Sequence, residues 1–133
     1  MKKKILISSG GSGGHVIPAT IFYEHLKNEF DVFFTIDKRG AKFLNLEKYK
    51  VTIIDTPKLT NNLFLLPLNF FGFFSSIIKS LIFFKKNKID ILISTGGYMS
   101  LPFCIIAKIL NIKIYLFEPN MVLGRANNLF AKY

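Results

Sequence analysis

The sequence predicts an α/β fold, a parallel sheet with helices on both faces. Three observations lead there. Short β-rich apolar runs alternate along the chain with stretches whose apolar residues recur at helical spacing, the order of strand–helix–strand units. The apolar runs are nearly continuous, as in strands covered on both sides. Glycine-rich turns follow two of these runs directly. That is where an open, Rossmann-like sheet gathers its ligand-binding loops.

Residues 4–8 form a β-rich run bounded by lysines and glycines, a first strand. Residues 17–28 carry apolar positions at helical spacing, with Pro18 in the first turn, where its missing N–H costs nothing. Residues 31–36 read as a second strand, 38–49 as a short polar helix, and 51–54 as a third strand ended by Asp55-Thr56-Pro57. Residues 89–94 predict a fourth strand, 101–110 a helix, and 112–117 a fifth strand. A last helix starts near Gly124 and reaches Tyr133 without a Gly or Asn cap, so the natural protein is expected to continue. The opening Met1-Lys2-Lys3-Lys4 and its short apolar run break at once into Ser8-Ser9-Gly10-Gly11, too early for a signal peptide.

A chain of 133 residues has room for one domain with a core and not for a two-domain enzyme. Half of it is hydrophobic, with 15 Phe, which excludes a disordered chain. Lys and Arg number 18 against 8 acidic residues, a net charge of +10, which asks for an anionic partner: phosphates, nucleic acid or a membrane surface. Composition does not choose among these. Cys104 is the only cysteine, so it reads as a small buried hydrophobe in a reducing compartment.

Residues 63–84, LFLLPLNFFGFFSSIIKSLIFF, approach the length and apolarity of a membrane span. Pro67, Asn69, Gly72 and Lys79 argue against a clean crossing. The favoured expectation is a loop and an amphipathic helix. It would dip Phe70, Phe71, Phe73 and Phe74 into the membrane interface, with Lys79, Lys85, Lys86 and Lys88 near anionic headgroups. Ordinary core packing is the alternative.

Three loops at the carboxyl edge of the sheet carry the chemistry. In the first, Gly10-Gly11-Ser12-Gly13-Gly14-His15, glycines let the backbone approach a ligand and point N–H groups at it. The helix that follows adds partial positive charge, so a phosphate is favoured. That same positive end favours a neutral imidazole at His15, as a general base requires. The second, Thr95-Gly96-Gly97-Tyr98-Met99-Ser100, repeats this logic before a helix with Pro102 in its first turn. Two anion-receptive loops side by side suit a diphosphate. The third begins at Glu118-Pro119-Asn120, where a carboxylate and an amide can bind a sugar hydroxyl or orient a base; Glu118 can equally be a helix-side cap. His25 reads as a packed or surface residue, and Asp37 as a turn residue before Lys38-Arg39-Gly40. The pattern Gly11-x-Gly13-x-x-Val16 lacks the third glycine of a dinucleotide fingerprint, which disfavours a nicotinamide-dependent oxidoreductase.

Together the stretches GGSGGHVIPA (10–19), STGGYMSLP (94–102) and EPNMVLGRANNLFAK (118–132) resemble the MurG family over essentially the whole chain. These are GT-B transferases that add N-acetylglucosamine from UDP-N-acetylglucosamine to the undecaprenyl-diphosphate-linked muramoyl-pentapeptide of the cell wall. The resemblance implies an amino-terminal acceptor-binding half at the cytoplasmic face of the bacterial inner membrane. The donor-binding domain lies outside these residues, and the isolated chain is expected to be inactive. Gly10, Gly11, Gly13, Gly14, Gly96, Gly97, Tyr98 and Ser100 would hold the acceptor diphosphate. Ser12, Gly13, Gly14 and Asn120 would touch the donor. His15 and Glu118 would be catalytic, His15 as the base in an inverting displacement of UDP. No cofactor, metal or nucleic acid is called for. The chain departs from the family at Phe117-Glu118-Pro119-Asn120, where the family has His-Glu-Gln-Asn; Pro119 supplies neither a side-chain amide nor an N–H. Ser12 replaces the usual Thr and keeps the hydroxyl. A second reading keeps the chain as a non-catalytic, membrane-recruiting subunit of a split glycosyltransferase. The first loop suits that equally; the second and third favour the enzyme.

Overall fold

The computed structural model describes residues 2–57, 66–119 and 124–131. Its elements are β1 (Lys4–Ser8), α1 (Gly13–Leu26), β2 (Asp31–Ile36), α2 (Lys38–Ala41), β3 (Val51–Ile53), α3 (Leu66–Asn87), β4 (Ile91–Ser94), α4 (Ser100–Ile109), β5 (Lys113–Leu116) and α5 (Arg125–Phe130). All strand pairings are parallel, in the order β3-β2-β1-β4-β5. The chain winds outward from β1 to β3, then crosses through α3 to build β4 and β5 on the other side of β1. The order reverses between β1 and β4, so a crevice opens beyond their carboxyl ends.

Side chains alternate across the strands and feed two cores. Leu6 and Leu92 pack with Phe84 and Phe103 under α3 and α4; Ile5, Ile7, Ile93 and Phe34 pack with Ala19 and Tyr23 of α1. Phe34, Phe84 and Phe103 are fully buried, each worth about 1.5–3 kcal/mol of apolar transfer. Cys104 is buried in the first of these cores, and burial pushes its thiol up to about 12 against a hydrogen bond with Ser94 that lowers it. It is a packing residue.

Several boundaries differ from the sequence-based expectation. α1 begins at Gly13, four residues early, because Ser12 is already extended (φ −138°, ψ 159°) and its carbonyl accepts from both His15 and Val16. Pro18 therefore lies beyond the first turn, where its missing N–H leaves the Gly14 carbonyl without a donor inside the helix. Of the helix expected over 38–49, only Lys38–Ala41 forms. Most of residues 42–48 are exposed, with Leu44 alone among them packed on the core, too little burial to hold a helix, and Asn45 accepts from the Glu47 N–H in a turn instead. β4 starts at Ile91 rather than 89, because Lys88 turns the chain in a left-handed conformation (φ 52°) and the Ile89 N–H closes α3 on the Phe84 carbonyl. Asn111 (φ 56°) ends α4 in the same way.

α3 divides by face. Phe84 is buried and Ile77, Leu81 and Phe83 are packed against the core. Ser76 and Ser80 face inward, donating to the Gly72 and Asp55 carbonyls and to the Ser76 carbonyl respectively. Phe70, Phe74, Ile78 and Ile82 recur every fourth residue as an exposed stripe with Phe71 beside it, while Phe73 is half-buried. Among the described residues no helix is long and apolar enough to cross a membrane.

Candidate functional site

The first glycine loop leaves β1 at Ser8 and enters α1 at Gly13. Gly10 is buried so tightly that a Cβ there would stand 2.9 Å from the Cβ of Met99. Gly11 is left-handed (φ 89°) and donates its N–H to Asp37 Oδ1 at 2.9 Å. Ser12 is exposed at the helix start and makes no side-chain cap. The amides of Gly13 and Gly14 fall in the first turn, where a helix offers them no acceptor. These amides are left for water or a ligand at the positive end of α1.

The second loop leans on the first. Gly96 and Gly97 are left-handed (φ 96° and 87°), and a Cβ on Gly97 would lie 2.6 Å from the Gly10 carbonyl oxygen. Only glycine permits that backbone contact, which joins the two loops into one surface. Ser100 is buried, and its hydroxyl donates to the Gly97 carbonyl at 2.7 Å, shaping the turn from behind. Tyr98 is half-buried on the same turn.

His15 bridges the pair. Its Nδ1 lies 2.7 Å from the Thr95 carbonyl, and its ring covers Gly96, where a Cβ would come within 3.1 Å of Nδ1 and Cε1. A carbonyl oxygen only accepts, so Nδ1 carries a hydrogen, and in the neutral ring the lone pair is then on Nε2. That is the tautomer a base uses.

The third loop is held by Glu118. Its Oε2 accepts from the Gly124 N–H at 2.7 Å and from Asn127 Nδ2 at 3.1 Å; Asn127 also donates to the Phe117 carbonyl at 3.0 Å. Glu118 thus ties the start of α5 to the tip of β5, the capping role weighed for it from sequence. Asn120 lies outside the described residues. Asn127 is almost fully buried, and its Nδ2 lies 3.5 Å from where a Gly96 Cβ would be, so the third loop meets the second through this side chain.

Two groups escaped sequence reasoning. Asp37, taken as a turn residue, is a buried junction: Oδ1 accepts from Gly11 and from Gly40, and Oδ2 from two nitrogens of Arg39. The Asp-x-x-Gly spacing at a helix start predicts the Gly40 bond, but nothing local announces the one to Gly11. The second is Asn127. It has no motif, and only the meeting of two loops distant in sequence gives it a role. Buried Thr95 Oγ1 and Asn127 Oδ1 have no partner in the protein among the described residues. No group of three or more His, Cys, Asp or Glu is placed to hold a metal among them either.

Residues 5–133 match the glycosyltransferase family 28 N-terminal domain. The chain is 61% identical, over its full length, to a UDP-N-acetylglucosamine--N-acetylmuramyl-(pentapeptide) pyrophosphoryl-undecaprenol N-acetylglucosamine transferase of Pelagibacter ubique, covering 37% of that protein. A protein of the same name from Rickettsia typhi is 35% identical over 98% of the chain, which covers 34% of it. The chain thus spans about a third of the length of these curated relatives. Among solved structures, MurG of Acinetobacter baumannii superimposes with a TM-score of 0.83 over 98% of this chain and 39% of its own, at 23% identity. A glycosyltransferase of kitacinnamycin gives 0.67 at 12% identity, over 98% of this chain and 34% of its own. These structural likenesses speak for the fold alone.

Proposed function

This chain belongs to the glycosyltransferase family 28, whose N-terminal domain it carries, and on that premise we propose that it is the acceptor-side half of an N-acetylglucosaminyltransferase. The substrates follow the relatives: UDP-N-acetylglucosamine as donor, and a muramoyl-pentapeptide linked through a diphosphate to undecaprenol as acceptor. The donor-binding domain is supplied outside these residues. One observation carries the reading. Gly97 rests on the Gly10 carbonyl, so two amide-bearing loops form one surface with the His15 ring beside it.

The acceptor diphosphate seats on the first-turn amides of α1 and on the loop of Gly96 and Gly97. His15 Nε2 takes the proton of the muramoyl 4-hydroxyl as its oxygen attacks the anomeric carbon of the donor. The bond from that carbon to phosphate breaks, UDP leaves with the electron pair, and the configuration inverts. Ser12, Gly13 and Gly14 face the donor across the cleft, with Asn120 at its sugar. Glu118 and Asn127 act as positioning residues that hold the third loop against the second.

Mixing this chain with a separately produced C-terminal part of the Pelagibacter relative is expected to yield glycosylated lipid product from UDP-N-acetylglucosamine and the lipid-linked acceptor. Neither part alone should do so. If the mixture assembles and still forms no product, the chain is a recruiting subunit instead.

The exposed stripe of α3 supports docking at the cytoplasmic surface of the inner membrane. Phe70, Phe71, Phe74, Ile78 and Ile82 enter the interface, with exposed Lys85 and Lys86 near anionic headgroups. Changing Phe70, Phe71 and Phe74 together to Ser is expected to release the protein from phosphatidylglycerol vesicles in a flotation assay without unfolding it, since all three are exposed. Undiminished flotation would count against this surface.

A further inference from the structure

A recess of about 610 Å3 lies beyond the carboxyl ends of β2 and β3, between α2 and the first half of α3. It shares a wall with the first glycine loop. Asp37, which lines it, holds the Gly11 N–H, and Arg39 Nη2 lies 3.7 Å from where a Gly11 Cβ would be.

Its carboxylates are already engaged. Asp37 is bound by Arg39 at 2.8 Å and by two backbone N–H groups. Asp55 is bound by the Lys38 ammonium at 3.0 Å and its N–H at 2.9 Å. Burial raises the Asp55 carboxyl, but these bonds and the more distant charge of Lys79 outweigh it, and it stays below its ordinary range.

Positive charge and donors remain. Lys79 forms no ion pair with a carboxylate among the described residues. Arg39 uses Nε and Nη2 on Asp37, leaving the two N–H groups of Nη1. Ser75 lines the same wall. Thr56 is 6% exposed, and its Oγ1 has no partner among the described residues. A buried hydroxyl without a partner costs about 1–3 kcal/mol relative to a satisfied one, so a ligand that supplies that bond is favoured.

We infer that this recess binds a carboxylate of the acceptor's peptide stem, between Lys79 and Arg39, with the Ser75 and Thr56 hydroxyls donating to the peptide. The inference rests on the acceptor reading above. Of the two cations, Arg39 adjoins the first glycine loop, its Nη2 3.7 Å from where a Gly11 Cβ would be, so the recess lies next to the proposed diphosphate seat. A phosphate fits less well. Its second charge would face Asp37 and Asp55, and the recess is larger than one phosphate needs.

The test is titration of the 133-residue chain with a soluble N-acetylmuramoyl-pentapeptide, once with all carboxylates free and once with all amidated. Amidation is expected to weaken binding by about 10- to 100-fold, the worth of hydrogen bonds to a charged group. Lys79→Met should weaken the free form and bring the two forms close together. Equal affinities of the two peptides for the unaltered chain would overturn the inference. So would a Lys79→Met protein that keeps its peptide affinity but loses binding to phosphatidylglycerol vesicles, which would make the recess a headgroup site. Geranyl diphosphate, titrated separately, probes the glycine loops. If it does not bind, the acceptor reading fails first and takes the inference with it.

Discussion

Replacing His15 with alanine is expected to lower turnover in the reconstituted enzyme by about 100- to 10,000-fold, the usual contribution of a positioned general base. The expectation follows from one bond. Because Nδ1 donates to the Thr95 carbonyl at 2.7 Å, Nε2 is the nitrogen left to accept a proton. His15→Asn separates position from chemistry. Its amide can still donate to a carbonyl, but it has no basic nitrogen, so it should be nearly as inactive as alanine. Both variants should keep the fold and the affinity for geranyl diphosphate, since the imidazole is half-buried and the diphosphate is held by backbone amides. An alanine variant with an unchanged rate would remove His15 from the role of base, whatever the fate of the rest of the site.

Gly97→Ala is expected to be the most damaging single methyl group in the site. Left-handed backbone at a non-glycine residue costs about 1–3 kcal/mol. Here the new Cβ also meets a backbone oxygen, that of Gly10, at 2.6 Å. That oxygen belongs to a buried residue wedged against Met99 and Asp37, so the second loop must move instead. The thermal midpoint should fall by several degrees and geranyl diphosphate binding should be lost. Gly13→Ala is the control for stability. A Cβ there would only reach ordinary contact with Phe43 at 3.4 Å, on a helical residue, and alanine is the better helix former. If Gly97→Ala melts and binds like the unaltered chain, the two loops do not act as one surface.

The contrast between these glycines shows what was legible in advance. Both loops stand out from sequence because glycine runs placed directly after apolar strands have few other uses, and the strands declare themselves by unbroken apolar character. Strand ends shifted by one or two residues where Lys88 and Asn111 adopt left-handed turns. The stretch after Ala41 has helix-forming residues but sends only Leu44 and Tyr49 to the core and leaves Phe43 and Leu46 exposed, so it stays in turns.

By itself, the sequence determined a parallel sheet, the positions of three loops at one edge, and the residue types able to meet a diphosphate and a sugar. Periodicity and glycine placement are local properties, and a single chain displays them. Which loops touch was decided only in three dimensions: Gly97 on Gly10, His15 on Thr95, Asp37 on Gly11, Asn127 toward Gly96. These contacts join residues up to 87 positions apart through hydrogen bonds of about 3 Å and backbone approaches that no pattern of spacing encodes, because the strand order that creates them is set by how two cores pack on opposite faces of one sheet.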